Sequence, residues 1–139
     1  MYIAFDVNQT REYQLKNHQG PDEPVFILGV LDSGLTAHLN DSAFSYKRPK
    51  KDDPLEMPEM IVHNRIRSRE TVRFGLKSVR NLKDKNGNQI TLEFKEFSTS
   101  VGLRKGLTDA SLDYFKPVIA ELDDAISYDN IVTEIEAKN

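Results

Sequence analysis

The chain has 139 residues, 38% hydrophobic and 29% charged, with a net charge of −3 and no cysteine. Such a length and composition make one polar-surfaced folded domain (1–139), and the missing thiols exclude disulfide scaffolds and thiolate metal sites, which suits an intracellular site of synthesis. No apolar run approaches the ~18 residues of a membrane span, and MYIAFDVNQTREY has neither the basic nor the apolar region of a signal peptide.

Tyr2 to Val7 alternates, with Ile3, Phe5 and Val7 on one face, and predicts a first strand. Asn8 to Glu23 is polar and holds Gly20-Pro21, so it reads as turn and loop. Pro24 to Leu31 is the most apolar run; its length and branched side chains predict a buried strand. Leu35 to Asp41 predicts a short helix, with Ser33 or Thr36 as its cap. Ala43 to Tyr46 fits no single pattern. Lys47 to Glu59 carries three prolines and eight charges and predicts an exposed arm or loop. Met60 to Ile66 predicts a short strand, and Ser68 a helix cap.

The stretch Glu70 to Phe94 predicts a helix, a tight turn and a strand. Val72, Gly75, Leu76, Val79 and Leu82 recur at helical spacing. Lys85-Asn86-Gly87-Asn88 is a turn signal, because Asn-Gly readily takes positive φ. Ile90, Leu92 and Phe94 alternate with Thr91, Glu93 and Lys95 as in a strand. Phe97 to Leu107, with Gly102 and Gly106, reads as loop. From Thr108 on, Leu112, Phe115, Val118, Ile119, Leu122, Ala125 and Ile126 lie within ~140° of a helix. Pro117 predicts two helices, about 109–115 and 117–127, or one kinked helix. The acidic tail, Tyr128 to Asn139, is expected to fray. Leu76, Val79, Leu92, Phe94, Phe115 and Leu122 are expected to be buried together.

Catalytic, cofactor and metal patterns are not assembled in this sequence. Asp84, Asn86 and Asn88 imitate the start of a calcium loop, but Gln89 and Lys95 stand where glycine and a bidentate glutamate are needed. His18, His38 and His63 are far apart and outside any metal-ligand spacing. No G-x-S-x-G, G-x-G-x-x-G or Walker motif occurs. The expectation is a non-enzymatic protein with no cofactor.

Charge is distributed unevenly. Residues 1–46 net −4, residues 47–85 net +6 and residues 86–139 net −5. On the predicted central helix, Arg69, Arg73, Lys77 and Arg80 span ~80° beside the apolar face. Arg65 and Arg67 precede them. This basic surface reads as a solvated face, as a dock for an acidic protein, or as a nucleic-acid contact. The acidic counterparts are Asp113, Glu121, Asp123, Asp124 and Asp129. If the two sets face different ways, one copy's basic helix meets the next copy's acidic helix, and repetition closes a ring. Phe74, predicted to point away from the apolar face, is the candidate apolar contact. The competing expectation is that the two sets meet inside one chain.

Phe74-Gly75-Leu76-Lys77, Asn81-Leu82-Lys83-Asp84, Gly87 and Ile90-Thr91-Leu92 follow a pattern of their own. This pattern resembles one in small proteins of the tailed-bacteriophage head–tail gene block. Leu112, Glu121-Leu122 and Ile126 are similar to that family's acidic C-terminal helix. Phe26-Ile27-Leu28 and Leu35-Thr36-Ala37 are similar to its buried strand and short helix. The similarity covers about residues 24–127, and Val79-Arg80 stands where a tryptophan is common. The resemblance implies a structural or morphogenetic virion protein: a neck, connector or minor component binding other phage structural proteins, working in the host cytoplasm and then the virion. A tail assembly chaperone and a nucleic-acid-binding regulator are the alternatives. The expected fold is α+β, a small, mostly antiparallel sheet packed on the central helix and the C-terminal helices.

Overall fold

The computed structural model describes residues 2, 6–47, 59–62 and 64–138, with side chains for 2, 6–41 and 65–128. Among the described residues it is α+β, with antiparallel sheets and four α-helices. The first strand, β1, is Thr10–Tyr13 rather than Tyr2 to Val7. Residues 3–5 of the expected strand lie outside the described residues, and Val7 is 48% exposed in a turn. β2, Val25–Gly29, is the strand that the apolar run predicts. It lies between β1 and β5 (Leu76–Arg80), antiparallel to both. Phe26 and Leu28, each 1% exposed, point to the core, while Ile27 between them is half-buried. That alternation gives a sheet with one face covered and one face wet.

α1, Ser33–Ala43, follows. Its first turn is capped by Asp32, not by Ser33 or Thr36: Asp32 Oδ1 accepts the Leu35 N–H at 2.8 Å. β3 (Phe44–Lys47) and β4 (Glu59–Val62) pair as an antiparallel ribbon. The expected arm joins them, and residues 48–58 of it lie outside the described residues.

The central helix runs earlier than its periodicity predicts. α2 is Asn64–Gly75, and Leu76 opens β5 with no intervening loop. Ser68 is therefore inside the helix and caps nothing. The misreading has a physical cause. The β2–β5 register shifts between Ile27 and Leu28: Ser78 pairs with Ile27 and Leu76 with Leu28, so Lys77 is the extra residue of a bulge. A bulge places residues three apart on one face, so Leu76 and Val79 imitate the helical step within a strand. Gly75 ends the helix where α2 crosses α4: a Cβ there would come within 2.8 Å of Ile126 Cδ1.

The turn after β5 is as expected. Gly87 takes φ +81°, and Asp84 Oδ1 accepts the N–H of Asn86 (2.8 Å) and of Asn88 (3.0 Å). Asp84 thus spends an oxygen on the turn's own backbone. Ile90 to Glu93 lies outside the named strands, tied by the Ile90 N–H to Leu82 carbonyl bond at 2.8 Å and by the Thr108 N–H to Glu93 carbonyl bond at 3.1 Å. The ladder begins later. β6 (Phe94–Thr99) and β7 (Gly102–Leu107) form a hairpin through the stretch read as loop. Both glycines that suggest a loop serve this hairpin instead. Gly102 takes φ +104° at the turn, and Gly106 lets the strand press on α2, where a Cβ would meet Arg73 Cγ at 3.0 Å.

Thr108 caps α3 (Asp109–Asp113), its side chain accepting from the Ser111 N–H. Pro117 sits in a 3₁₀ turn, Lys116–Val118, which leads into α4, Ile119–Lys138. The break at proline is as predicted, but helix continues through the tail to Lys138 rather than stopping near residue 127. One hydrophobic cluster joins these elements. Leu76, Phe115 and Leu122 are at its centre, while Val79, Leu92 and Phe94 pack half-buried against it. Phe26 meets Phe115 edge-on, with ring centroids 5.5 Å apart, tying β2 to the segment before α4.

Candidate interaction surface

The basic side chains of α2 and β5 do not form one stripe, because Lys77 and Arg80 lie on a strand. Arg73 is 6% exposed. Its Nε donates to Glu70 at 2.8 Å, Nη1 to the Leu107 carbonyl at 2.8 Å and Nη2 to Asp109 at 2.5 Å. The guanidinium also covers the Phe97 ring at 4.5 Å. Burial works against its charge, but hydrogen bonds and charge from Glu70 and Asp109 outweigh that and hold its pKa raised. Arg69 reaches Asp113 at 3.3 Å and Asp109 at 3.4 Å. The Asp109 carboxyl is held below its ordinary range, chiefly by its hydrogen bond from Arg73.

The remaining predicted residues divide similarly. Arg80 pairs with Glu12 across the sheet at 2.5 Å. Lys77 lays its stem where a Gly29 Cβ would stand and donates to the Phe74 carbonyl at 2.9 Å; loss of solvent around it lowers its pKa. Phe74 does not point outward. It is 3% exposed and packs edge-on against Phe97, with centroids 5.9 Å apart. Glu121 accepts the Tyr13 hydroxyl at 2.6 Å and the Lys16 N–H at 2.9 Å. Asp123 accepts from Ser68 at 2.7 Å. Asp124 is exposed, and the Asp129 side chain lies outside the described residues. Among the described residues, the expected basic and acidic sets meet within one chain at the Arg69–Asp113 pair, and Asp109, outside the expected set, pairs with both Arg69 and Arg73. Asp109, which carries two of these links, has no distinguishing mark in the sequence beyond its place in the first turn of a helix.

The first turn of α2 is different. Arg65, Ile66 and Arg67 are consecutively exposed, with Ile66 at 51%. Neither arginine has a hydrogen-bond or ion-pair partner among the described residues. Elsewhere, an open cleft of about 840 Å³ lies at the end of the three-stranded sheet, between the β1–β2 connection and Asn81. The Glu12–Arg80 pair forms part of its wall, and Gln14 is already tied to Gly20 by two hydrogen bonds. His38 Nδ1 accepts the Ser100 N–H at 3.1 Å, His18 lies 3.6 Å from Glu23, and His63 is outside the described residues.

What fold and surface define together is an α+β protein in which Arg69, Arg73, Arg80 and Arg104 join its own elements, while the basic turn Arg65-Ile66-Arg67 and several apolar side chains are open. No helix among the described residues is long and apolar enough to cross a membrane. No protein family, curated protein or solved structure matches the chain.

Proposed function

We propose that the chain is a non-enzymatic structural or morphogenetic protein of a tailed bacteriophage, a neck, connector or minor virion component that works through protein contacts as a homo-oligomer. The phage assignment is supported by the residue pattern Phe74–Lys77, Asn81–Asp84, Gly87 and Ile90–Leu92. In the fold that pattern spans the end of α2, the bulged strand β5 and the Asp84 turn, with Phe74 and Leu76 in the hydrophobic cluster. The observation that carries the contact reading is the open turn Arg65-Ile66-Arg67. Arginine and an exposed aliphatic side chain together suit a protein interface, where arginine is enriched and apolar groups anchor. Mass spectrometry of gradient-purified particles tests the assignment. The chain is expected at fixed copy number per particle. Its absence from particles, with presence in assembly intermediates, would move it to a chaperone role.

A further inference from the structure

With the Arg69 and Arg73 charges closed inside the chain, any self-contact must use other residues. Among the side chains left open are two patches of opposite charge. The basic one is Arg65-Ile66-Arg67 on the first turn of α2. The acidic one is Asp124 with Tyr128, one helical turn apart on α4. Asp124 is exposed and Tyr128 is 63% exposed, and neither makes a hydrogen bond or ion pair among the described residues. Each patch joins charge of one sign to an uncovered apolar or aromatic group.

Their directions follow from helix geometry. The Ser68–Asp123 bond places α2 against one flank of α4, and the Tyr13–Glu121 bond places β1 against another. At about 100° per residue, Glu121, Asp124 and Tyr128 fall within about 60° of arc, while Asp123 lies roughly 100° from Asp124, 140° from Tyr128 and 160° from Glu121. Asp124 and Tyr128 therefore lie nearer the Glu121 flank of α4 than the Asp123 flank that meets α2. Leu122, Ala125 and Ile126 occupy the buried side between the flanks. No hydrogen bond or ion pair joins the basic turn to the acidic pair within one chain among the described residues.

We infer that the basic turn Arg65-Ile66-Arg67 of one copy docks on Asp124 and Tyr128 of a second copy. The inference names the self-contact of the assembly protein proposed above. The occupant follows from complementarity: two arginines flanking an aliphatic side chain meet a carboxylate beside an aromatic ring, which also receives guanidinium on its face. A contact between two different patches is heterologous, so it adds copies head to tail and closes a ring if the rotation permits. Two arginines alone are a small footprint for nucleic acid, and Ile66 offers nothing to a phosphate.

The test is sedimentation velocity of the full chain across a salt and concentration series, with thermal melts to confirm folding. The wild-type chain is expected to self-associate, more strongly at low salt. The pair Arg65→Glu with Arg67→Glu, and separately Asp124→Lys, should each raise the dissociation constant by about tenfold or more. Mixing the two variants, or joining all three substitutions in one chain, should restore assembly. A wild-type chain monomeric throughout, or an oligomer indifferent to these substitutions, overturns the inference. A monomer that binds duplex DNA, and loses it on Arg65→Glu with Arg67→Glu, also overturns it and gives the turn to nucleic acid. Presence of the chain in purified particles is a separate readout, so the phage assignment and this contact fail independently.

Discussion

Removing the Arg73 guanidinium should weaken the fold without touching assembly. Arg73→Met keeps most of the stem over Phe97 and deletes the fork. The three acceptors then behave differently. The Leu107 carbonyl belongs to a residue with 0% exposure, so its lost donor is not readily replaced by water. A buried orphan acceptor costs about 1–3 kcal/mol. Glu70 and Asp109 have side chains 26% and 73% exposed and turn to solvent, so their losses are smaller. The sum expected for Arg73→Met is roughly 2–3 kcal/mol. At this chain length that corresponds to a melting shift of about 5–10 °C. Arg73→Glu goes further, because it sets a carboxylate between Glu70 and Asp109. Urea unfolding followed by circular dichroism measures the loss as a lower midpoint at unchanged slope. Arg73→Met within about 0.5 kcal/mol of wild type would refute the reasoning, since surface substitutions away from any structural feature fall in that range. Arg73→Glu changing the oligomeric state at undiminished stability would return Arg73 to the interface.

Three further outcomes follow from the geometry. Leu76→Ala, at a site 1% exposed, should cost about 2–5 kcal/mol in the same urea assay. Gly75→Ala should destabilise by roughly 1–3 kcal/mol, because the new methyl meets Ile126 at both Cδ1 (2.8 Å) and Cγ2 (2.9 Å); a crystal structure of the variant should show that side chain displaced. Burial first, then the Glu121 hydrogen bond and charge, raise the Tyr13 hydroxyl to about 12, while that same hydrogen bond lowers Glu121. A raised folded-state pKa holds its stabilisation below the unfolded value and loses it as pH climbs, so stability should fall from about 10 toward 12. The lowered Glu121 acts oppositely, holding its stabilisation above the ordinary carboxylate range and losing it as pH drops below that range. Tyr13→Phe should flatten both limbs of the stability–pH curve and cost about 1 kcal/mol at neutral pH.

Several features were legible in the residues alone because their causes are local. The apolar run Pro24 to Leu31 makes β2, the Asn86-Gly87 pair makes its turn, Thr108 caps α3, and Pro117 breaks the C-terminal helical pattern. Each needs only a side chain's volume, its φ preference or its reach to a neighbouring N–H. The end of α2 was not legible, since helix and bulged strand share the three-residue step from Leu76 to Val79. The choice was made by β2, whose edge offers Leu76 to Arg80 a ladder of partners. The hairpin β6–β7 was hidden for the reverse reason: Gly102 and Gly106 look like loop until α2 is seen pressing on Gly106. Charge followed the same division. Composition placed a basic middle beside an acidic end, but only folding brought Asp109 and Asp113 to Arg69 and Arg73. Ion pairs between residues some 40 positions apart depend on where the backbone returns, and that return is set by burial of Leu107, Leu112 and Phe115. Arg65 and Arg67 stayed open because the nearby Asp123 carboxylate bonds Ser68 and none of the described carboxylates pairs with either arginine, a fact of packing rather than of charge count.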